Sequence, residues 1–204
     1  MDFVELSIES LREESKHLAR LVAKDWHPDT VVYLAKGGYL IGLEVAAFFE
    51  ADLLEISAHR SGDSAKSHAS SLLPKLPRFL RHALREFEIS KRLKTDNGKT
   101  QKKSMFITDR YLLNKSPKKL LIVDDSADTG NSLKNAKELL SKEYPESEIK
   151  IAVLNCFDEV QQNIKIDWWL MLNTLLSTPA SKDNEEFSLF INSYNSGTNW
   201  TLKE

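Results

Sequence analysis

The sequence predicts an α/β domain with a central, mostly parallel sheet flanked by helices. Three observations lead to this fold class. Short apolar runs rich in valine, isoleucine and leucine, typical of buried strands, alternate with longer segments whose apolar residues recur at helical spacing. Turn-forming residues separate the two kinds of segment. The composition, 41% hydrophobic and 28% charged, is that of a chain able to bury a sizeable core.

The N-terminal part contains two predicted strands and two predicted helices. Leucines recur among charges over Ile8–Lys24, which indicates an amphipathic helix. The buried strand predicted at Thr30–Ala35 runs into Lys36–Gly38, and an apolar helix is predicted over Tyr39–Glu50. Leu53–Ala58 is the second predicted strand.

The C-terminal part repeats this alternation. Leu120–Val123 is a third predicted strand, Ser132–Tyr144 a helix with one apolar face, and Glu148–Asn155 a fourth strand. We expect Asp167–Leu176 to be apolar but irregular. The polar segment after Pro179 is expected to lie at the periphery.

Residues 60–117 interrupt the alternation as a basic helical and loop insertion. Within it, residues 60–110 hold 13 lysines and arginines against 5 acidic residues. Apolar residues recur at helical spacing over Leu72–Leu93, which predicts a helix that contacts a hood or another subunit; a nucleic-acid or acidic-membrane surface is the alternative. Thr95–Lys103 has no apolar residue and is predicted to be a mobile loop.

The chain of 204 residues is predicted to be a single domain, with residues 160–204 forming a small hood and the C-terminal tail. Cys156, the single cysteine, lies in an apolar run and is expected to be a buried thiol. No apolar run is long enough to span a bilayer, and the N-terminus lacks a signal-peptide pattern, so we expect a cytoplasmic protein without a membrane partner. The net charge of −2 does not indicate a general nucleic-acid binder.

Two adjacent carboxylates, Asp124 and Asp125, stand at the end of the third predicted strand. Residues 120–133 read LLIVDDSADTGNSL, which is a buried strand, two acids, a turn of small and hydroxyl residues, and a helix start. Ligands of parallel sheets bind beyond the carboxyl ends of the strands, and the N–H groups of a helix start favour a phosphate. Gly130 lets the backbone approach a ligand closely. Carboxylates one turn away from a phosphate site can accept hydrogen bonds from sugar hydroxyls. The spacing therefore suits a phosphorylated ribose.

This segment resembles the 5-phosphoribosyl pyrophosphate signature of the type I phosphoribosyltransferases, which has an apolar strand, two acids, two small or apolar residues and then Asp-Thr-Gly. Lys36–Gly38 resembles the pyrophosphate loop of the purine-salvage members. The resemblance implies a cis peptide bond between Ala35 and Lys36. It covers about residues 25–60 and 118–180 and implies the type I phosphoribosyltransferase fold.

The resemblance also implies a magnesium-dependent transfer in which a purine-like base attacks C1 of the ribose and pyrophosphate leaves. Asp128 matches the acid that faces the base, Lys36 is the second residue assigned to catalysis, and Asp125 is assigned to the Mg²⁺ ion. The residues assigned to 5-phosphoribosyl pyrophosphate are Lys36, Gly37, Gly38, Asp124, Asp125, Ser126, Ala127, Asp128, Thr129, Gly130, Asn131 and Ser132.

The base site and the function are less constrained. Residues 165–168 resemble the Lys-Pro-Asp-aromatic run of the purine members, which assigns Lys165 and Trp168 to the base; a solvated lysine and a core tryptophan are the alternative. Where xanthine-type members have Phe-Pro-Trp, this chain has residues 178–180 as Thr-Pro-Ala, which leaves the accepted base open. The chain is expected to be an enzyme and a homo-oligomer. A regulatory or binding protein that keeps the ligand site without the chemistry is the second hypothesis.

Overall fold

The computed structural model describes residues 1–58, 105–108 and 116–196, together with five helical positions inside the basic insertion, Ala83, Glu86, Phe87, Ser90 and Lys91. These five lie within the helix predicted over Leu72–Leu93, and the rest of that helix is outside the described residues. The loop predicted at Thr95–Lys103 is also outside them.

Within the described residues, strands and helices alternate as the sequence predicts. The strands are β1 (Phe3–Glu5), β2 (Thr30–Leu34), β3 (Asp52–Ala58), β4 (Met105–Ile107), β5 (Lys119–Ala127), β6 (Glu148–Cys156), β7 (Trp168–Leu172) and β8 (Leu175–Ser177). The helices are α1 (Ile8–Val22), α2 (Tyr39–Phe49), α3 (Asn131–Glu143) and α4 (Phe187–Ser196), with a short 3₁₀ helix at Asp158–Gln162.

Within the part of the chain that the structure describes, six strands form the central sheet in the order β4-β3-β2-β5-β6-β7, and β1 pairs with β8 in a separate parallel ribbon. Neighbours in the central sheet are parallel except for β4, which runs antiparallel to β3 at the edge. The chain moves outward from β2 to β3 and β4, then returns to place β5 on the other side of β2. The ends of β2 and β5 therefore form a topological switch point, where open parallel sheets bind their ligands.

Helices cover both faces of the sheet because side chains of each buried strand alternate between the faces. Val31 and Tyr33 of β2 pack with α1, α2 and α4, whereas Val32 and Leu34 pack with α3. The structure thus confirms the predicted α/β class, with a mostly parallel sheet flanked by helices. No helix in the described part of the chain is both long and apolar enough to cross a bilayer.

Two predictions for the C-terminal part were wrong. Asp167–Leu176 is not irregular, since it contains β7 and the start of β8. The segment after Pro179 is not peripheral, because α4 buries Phe190 and Tyr194 in the main core. These two aromatic residues are four positions apart and so lie on one face of the helix, which outweighs the polar composition around them.

Candidate active site

Two loops meet at the switch point between β2 and β5. The first is Lys36–Gly38 after β2, and the second begins with Asp124 and Asp125 in the last part of β5. They approach so closely that a Cβ atom added to Gly37 would lie 2.8 Å from Asp125 Oδ1 and 2.9 Å from Asp124 Oδ1. The backbone of one loop therefore faces the carboxylates of the other, and a side chain at position 37 would have to displace the carboxylate oxygens.

The first loop is held by its own backbone. The peptide bond between Ala35 and Lys36 is cis, as the resemblance implied. The N–H of Gly38 donates to the Leu34 carbonyl at 2.9 Å, and a Cβ on Gly38 would lie 2.6 Å from the Val123 carbonyl oxygen. Only a glycine fits this position against β5, and α2 begins at the next residue.

Each carboxylate of the pair Asp124 and Asp125 accepts a hydrogen bond that holds it in place. The N–H of Asp125 donates to Asp124 Oδ1 at 3.0 Å, and the hydroxyl of Thr178 donates to Asp125 Oδ2 at 2.8 Å. Burial of Asp124, and secondarily the negative charges of Asp125 and Asp128, raise the pKa of the Asp124 carboxyl well above its usual range. Negative charge is therefore crowded at this point, and the site favours a cation or several hydrogen-bond donors beside the acids.

The turn after β5 leads directly into α3. Gly130 has a φ of 76°, a left-handed conformation that favours glycine, and its carbonyl accepts the N–H of Lys134 at 2.8 Å. A Cβ on Gly130 would lie 2.7 Å from Ile164 Cγ2 and 3.0 Å from Val160 Cγ1. Ile164 and Val160 therefore pack against the turn, and this packing fixes the start of α3. That helix has no side-chain cap at its N-terminus.

Asp128, the acid expected to face the base, belongs to a chain of polar side chains. The Ser126 hydroxyl and Asp128 Oδ1 are 2.9 Å apart, and the Asn155 amide nitrogen lies 3.1 Å from Ser126 Oγ. Asn155 is fully buried and also bonds to Thr174. It stands opposite Ser126 in the register of β5 and β6.

The two loops together contain most of the predicted site. Lys36, Gly37 and Gly38 follow β2, residues 124–127 end β5, residues 128–130 form the turn, and Asn131 and Ser132 begin α3. All twelve residues assigned to the phosphoribosyl ligand thus lie on these two loops. Their contacts with a ligand remain a prediction.

Lys165 and Trp168 lie on neither loop, although Ile164, the residue before Lys165, packs beside Gly130 of the second loop. The Lys165 ammonium pairs with Asp167 Oδ1 at 2.8 Å, and 78% of its side chain is exposed. Trp168 is buried beside Trp26, with ring centroids 5.9 Å apart, and the Lys150 ammonium lies 5.3 Å from its ring. Lys150 pairs with Leu121 near the beginning of β5, so the ring packs toward the other end of the sheet. An exposed lysine and a packed tryptophan fit the alternative, and the assignment of Lys165 and Trp168 to the base remains a prediction.

A second network, behind the first loop, was not anticipated from the sequence. The buried carboxylate of Glu55 accepts hydrogen bonds from the hydroxyls of Tyr33, Ser57 and Tyr194, the last at 3.2 Å. The Lys36 ammonium lies 5.7 Å from the Tyr194 ring centroid. Helix α4 is therefore connected to the lysine of the first loop, and an acidic residue inside an apolar strand is the sequence signal that could have indicated it.

Thr178 and Asn155 were also missed as site residues. Thr178 was noted only as part of a departure from the xanthine-type pattern, yet its hydroxyl supports Asp125. Asn155 is a polar residue at the carboxyl end of an apolar strand, and that position is the signal that could have identified it.

Comparisons with known proteins agree with this geometry. The family model of the phosphoribosyl transferase domain matches residues 7–176. A purine phosphoribosyltransferase from Pyrococcus horikoshii Ot3 is similar in structure, with a TM-score of 0.58 and 18% identity, over 89% of this chain and 95% of that one. A xanthine-guanine-hypoxanthine phosphoribosyltransferase from Helicobacter pylori has a TM-score of 0.56 and 16% identity, over 94% and 97% of the two chains. No curated protein sequence matches the chain.

Proposed function

The chain belongs to the phosphoribosyl transferase family of enzymes, and from this premise we propose that it transfers the phosphoribosyl group of 5-phosphoribosyl pyrophosphate to a purine-like base. The observation that carries the proposal is the approach of Gly37 to the carboxylates of Asp124 and Asp125. One face of this arrangement offers backbone amides for a pyrophosphate. The other offers acceptors for ribose hydroxyls, followed by a helix start for the 5-phosphate.

In the proposed reaction, a ring nitrogen of the base forms a bond to C1 of the ribose while the bond between C1 and the pyrophosphate oxygen breaks. Pyrophosphate leaves with the electron pair, and the proton of the base passes to the Asp128 carboxylate. Asp124 and Asp125 hold the ribose hydroxyls, and Lys36 with Gly37 and Gly38 holds the leaving pyrophosphate. The protein then contributes positioning and charge rather than a covalent intermediate.

The acid pair fits a magnesium ion bound together with the ligand. Magnesium prefers oxygen ligands and is commonly held by one or two carboxylates plus substrate phosphates and waters. Burial first, and then the negative charges of Asp125 and Asp128, raise the pKa of Asp124, and a divalent cation would offset the contribution of those charges. Among the described residues, no group of three acidic, histidine or cysteine residues is placed to hold a metal by itself. We assign the ion to Asp125 and the ligand's own oxygens; when bound, it neutralises the pyrophosphate.

The purine-like character of the base, the cytoplasmic location and the homo-oligomeric state remain parts of the proposal. The similarity of the fold to purine-specific relatives supports the first of these. The free, buried Cys156 is compatible with a reducing compartment.

A binding or regulatory protein that keeps the ligand site is the second candidate. The observation that favours it is the packing of Trp168 against Trp26 in the core, because this ring was expected to contact the base.

A base panel separates the two candidates. Purified protein, 5-phosphoribosyl pyrophosphate and Mg²⁺ are mixed with adenine, guanine, hypoxanthine, xanthine and pyrimidine bases, and pyrophosphate release is measured. The transferase proposal predicts release that depends on one or more purines. Tight ligand binding by calorimetry without release for any base would support the binding protein instead. Asp125→Asn is the matched control, because it removes one charged acceptor in the ligand site.

A further inference from the structure

Asn155 is a fully buried amide in a strand that is otherwise apolar at its carboxyl end. A buried amide is costly unless its hydrogen-bonding groups are satisfied. Here they are: Oδ1 accepts the N–H of Thr174 at 3.1 Å, and Nδ2 donates to the Thr174 carbonyl at 2.9 Å. Both partners are backbone groups whose roles as donor and acceptor are fixed.

These two bonds determine which terminal atom of the Asn155 side chain is the oxygen and which is the nitrogen. Side-chain amides are ordinarily ambiguous between oxygen and nitrogen, but a flipped Asn155 would place a donor against the Thr174 N–H and an acceptor against its carbonyl. The nitrogen must therefore be the atom that lies 3.1 Å from Ser126 Oγ.

The direction of the next hydrogen bond follows. An amide nitrogen can only donate, so the Ser126 oxygen accepts from Asn155. The Ser126 proton is then available for its other neighbour, Asp128 Oδ1, at 2.9 Å. A hydroxyl that donates to a carboxyl oxygen fixes the orientation of that carboxyl group.

We propose that Asn155 is a positioning residue, which orients the Ser126 hydroxyl as a donor to Asp128 and so holds Asp128 ready to accept the proton of the base. The inference rests on the proposed function, in which Asp128 is that acceptor. It gives a role to a buried residue that contacts the second loop through the Ser126 hydroxyl.

The amide also has a structural task, because its bonds to Thr174 fasten β6 to the segment before β8. A loss of activity in an Asn155 variant alone would not separate the two tasks. Ser126→Ala does separate them, because it removes the link to Asp128 and leaves both bonds to Thr174 in place. Ser126→Thr retains the hydroxyl and serves as the rescue variant.

The kinetic test compares these variants with the wild type on the best base. We expect Ser126→Ala to lower kcat about tenfold or more, because the hydrogen bond that orients the charged Asp128 carboxylate is lost. Ser126→Thr should recover most of the rate. In an Asn155→Asp background, Ser126→Ala should add little, because the orienting donor is already absent. Ser147→Ala, which removes a remote hydroxyl bonded to Pro117, is the control and should keep wild-type kcat.

A second readout does not depend on turnover. The carboxyl carbon of Asp128 is observed by NMR in protein labelled with ¹³C-aspartate, and its signal is assigned with Asp128→Asn. We expect the signal to shift in Ser126→Ala and Asn155→Asp and to stay in place in Ser147→Ala. If Asn155→Asp does not fold, Ser126→Ala and Ser126→Thr carry the comparison.

The outcomes are distinct for the two proposals. A wild type that turns over no base, while the Asp128 signal shifts as expected, overturns the transferase function and supports the hydrogen-bond relay. A wild type that turns over, with kcat and the Asp128 signal unchanged in Ser126→Ala, overturns the role of Asn155 and leaves the function standing.

Discussion

Replacing Gly37 by alanine tests the convergence of the two loops, because the new methyl group would occupy the space between them. Its Cβ would lie 2.8 Å from Asp125 Oδ1 and 2.9 Å from Asp124 Oδ1. Ordinary contact requires each oxygen to retreat by about 0.5 Å, and a carboxylate can do so by rotating about its side-chain bonds. The fold should therefore tolerate the change, but both carboxylates should move away from their wild-type positions.

The expected magnitudes differ for stability and for binding. Rotating both carboxylate side chains off their preferred torsions costs about 1–3 kcal/mol in total, and replacing glycine by alanine stabilises by about 0.4–1 kcal/mol because it restricts the unfolded chain. The net change corresponds to a Tm decrease of about 10 °C or less for a chain of this size. Loss of one hydrogen bond from a ribose hydroxyl to a carboxylate costs about 1.5–3 kcal/mol, which is about 10- to 150-fold in affinity.

Calorimetry with 5-phosphoribosyl pyrophosphate and Mg²⁺, beside thermal unfolding, measures both quantities. Gly38→Ala is the matched comparison: its Cβ would meet the backbone carbonyl of Val123 at 2.6 Å, which cannot rotate away, so this variant should lose stability as well. Wild-type affinity in Gly37→Ala would refute the assignment of Asp124 and Asp125 to the ligand.

Three further predictions follow from single contacts. Thr178→Val removes the hydroxyl that donates to Asp125 and should weaken ligand binding about tenfold with little change in Tm. Equal affinity of the variant and the wild type by calorimetry would show that Thr178 does not position Asp125 for the ligand. Burial, together with the charges of Asp125 and Asp128, raises the pKa of Asp124, so the folded ligand-free protein holds this proton more tightly than the unfolded chain does. Stability should then fall as pH rises above the unfolded pKa of about 3.9. Asp124→Asn should have the higher Tm at pH 7, an advantage that disappears below about pH 4, and a lower Tm at neutral pH would contradict the shift. Burial raises the pKa of the Cys156 thiol to about 11, so iodoacetamide should label it at pH 8 after unfolding but not before; rapid labelling of the native protein would show that the thiol is accessible.

The parts of the fold that sequence reasoning recovered are those set by local pattern. The segment from Leu120 to Ser132 combines a buried strand, a turn with Gly130 and a helix start in consecutive positions. Its structure is therefore determined mainly by local sequence. The same holds for Lys36–Gly38, where the cis bond implied by the resemblance is present.

The parts that were missed depend on contacts between distant residues. Thr178 reaches Asp125 across 53 positions, and Tyr194 reaches Glu55 across 139. Neither contact has a periodic signal. The position of the Trp168 ring likewise depends on packing against Trp26 and Lys150, which no local pattern indicates.

The most direct test of the central claim is the identity of the product, measured by mass spectrometry after incubation of wild type and Asp128→Ala with 5-phosphoribosyl pyrophosphate, Mg²⁺ and each purine. The transferase account predicts that the wild type forms the 5′-nucleotide of at least one purine. It also predicts that Asp128→Ala forms this nucleotide about 10²- to 10⁴-fold more slowly, as expected for loss of a general base, while ligand binding weakens far less. A wild type that binds the ligand and forms no nucleotide with any purine would contradict the account.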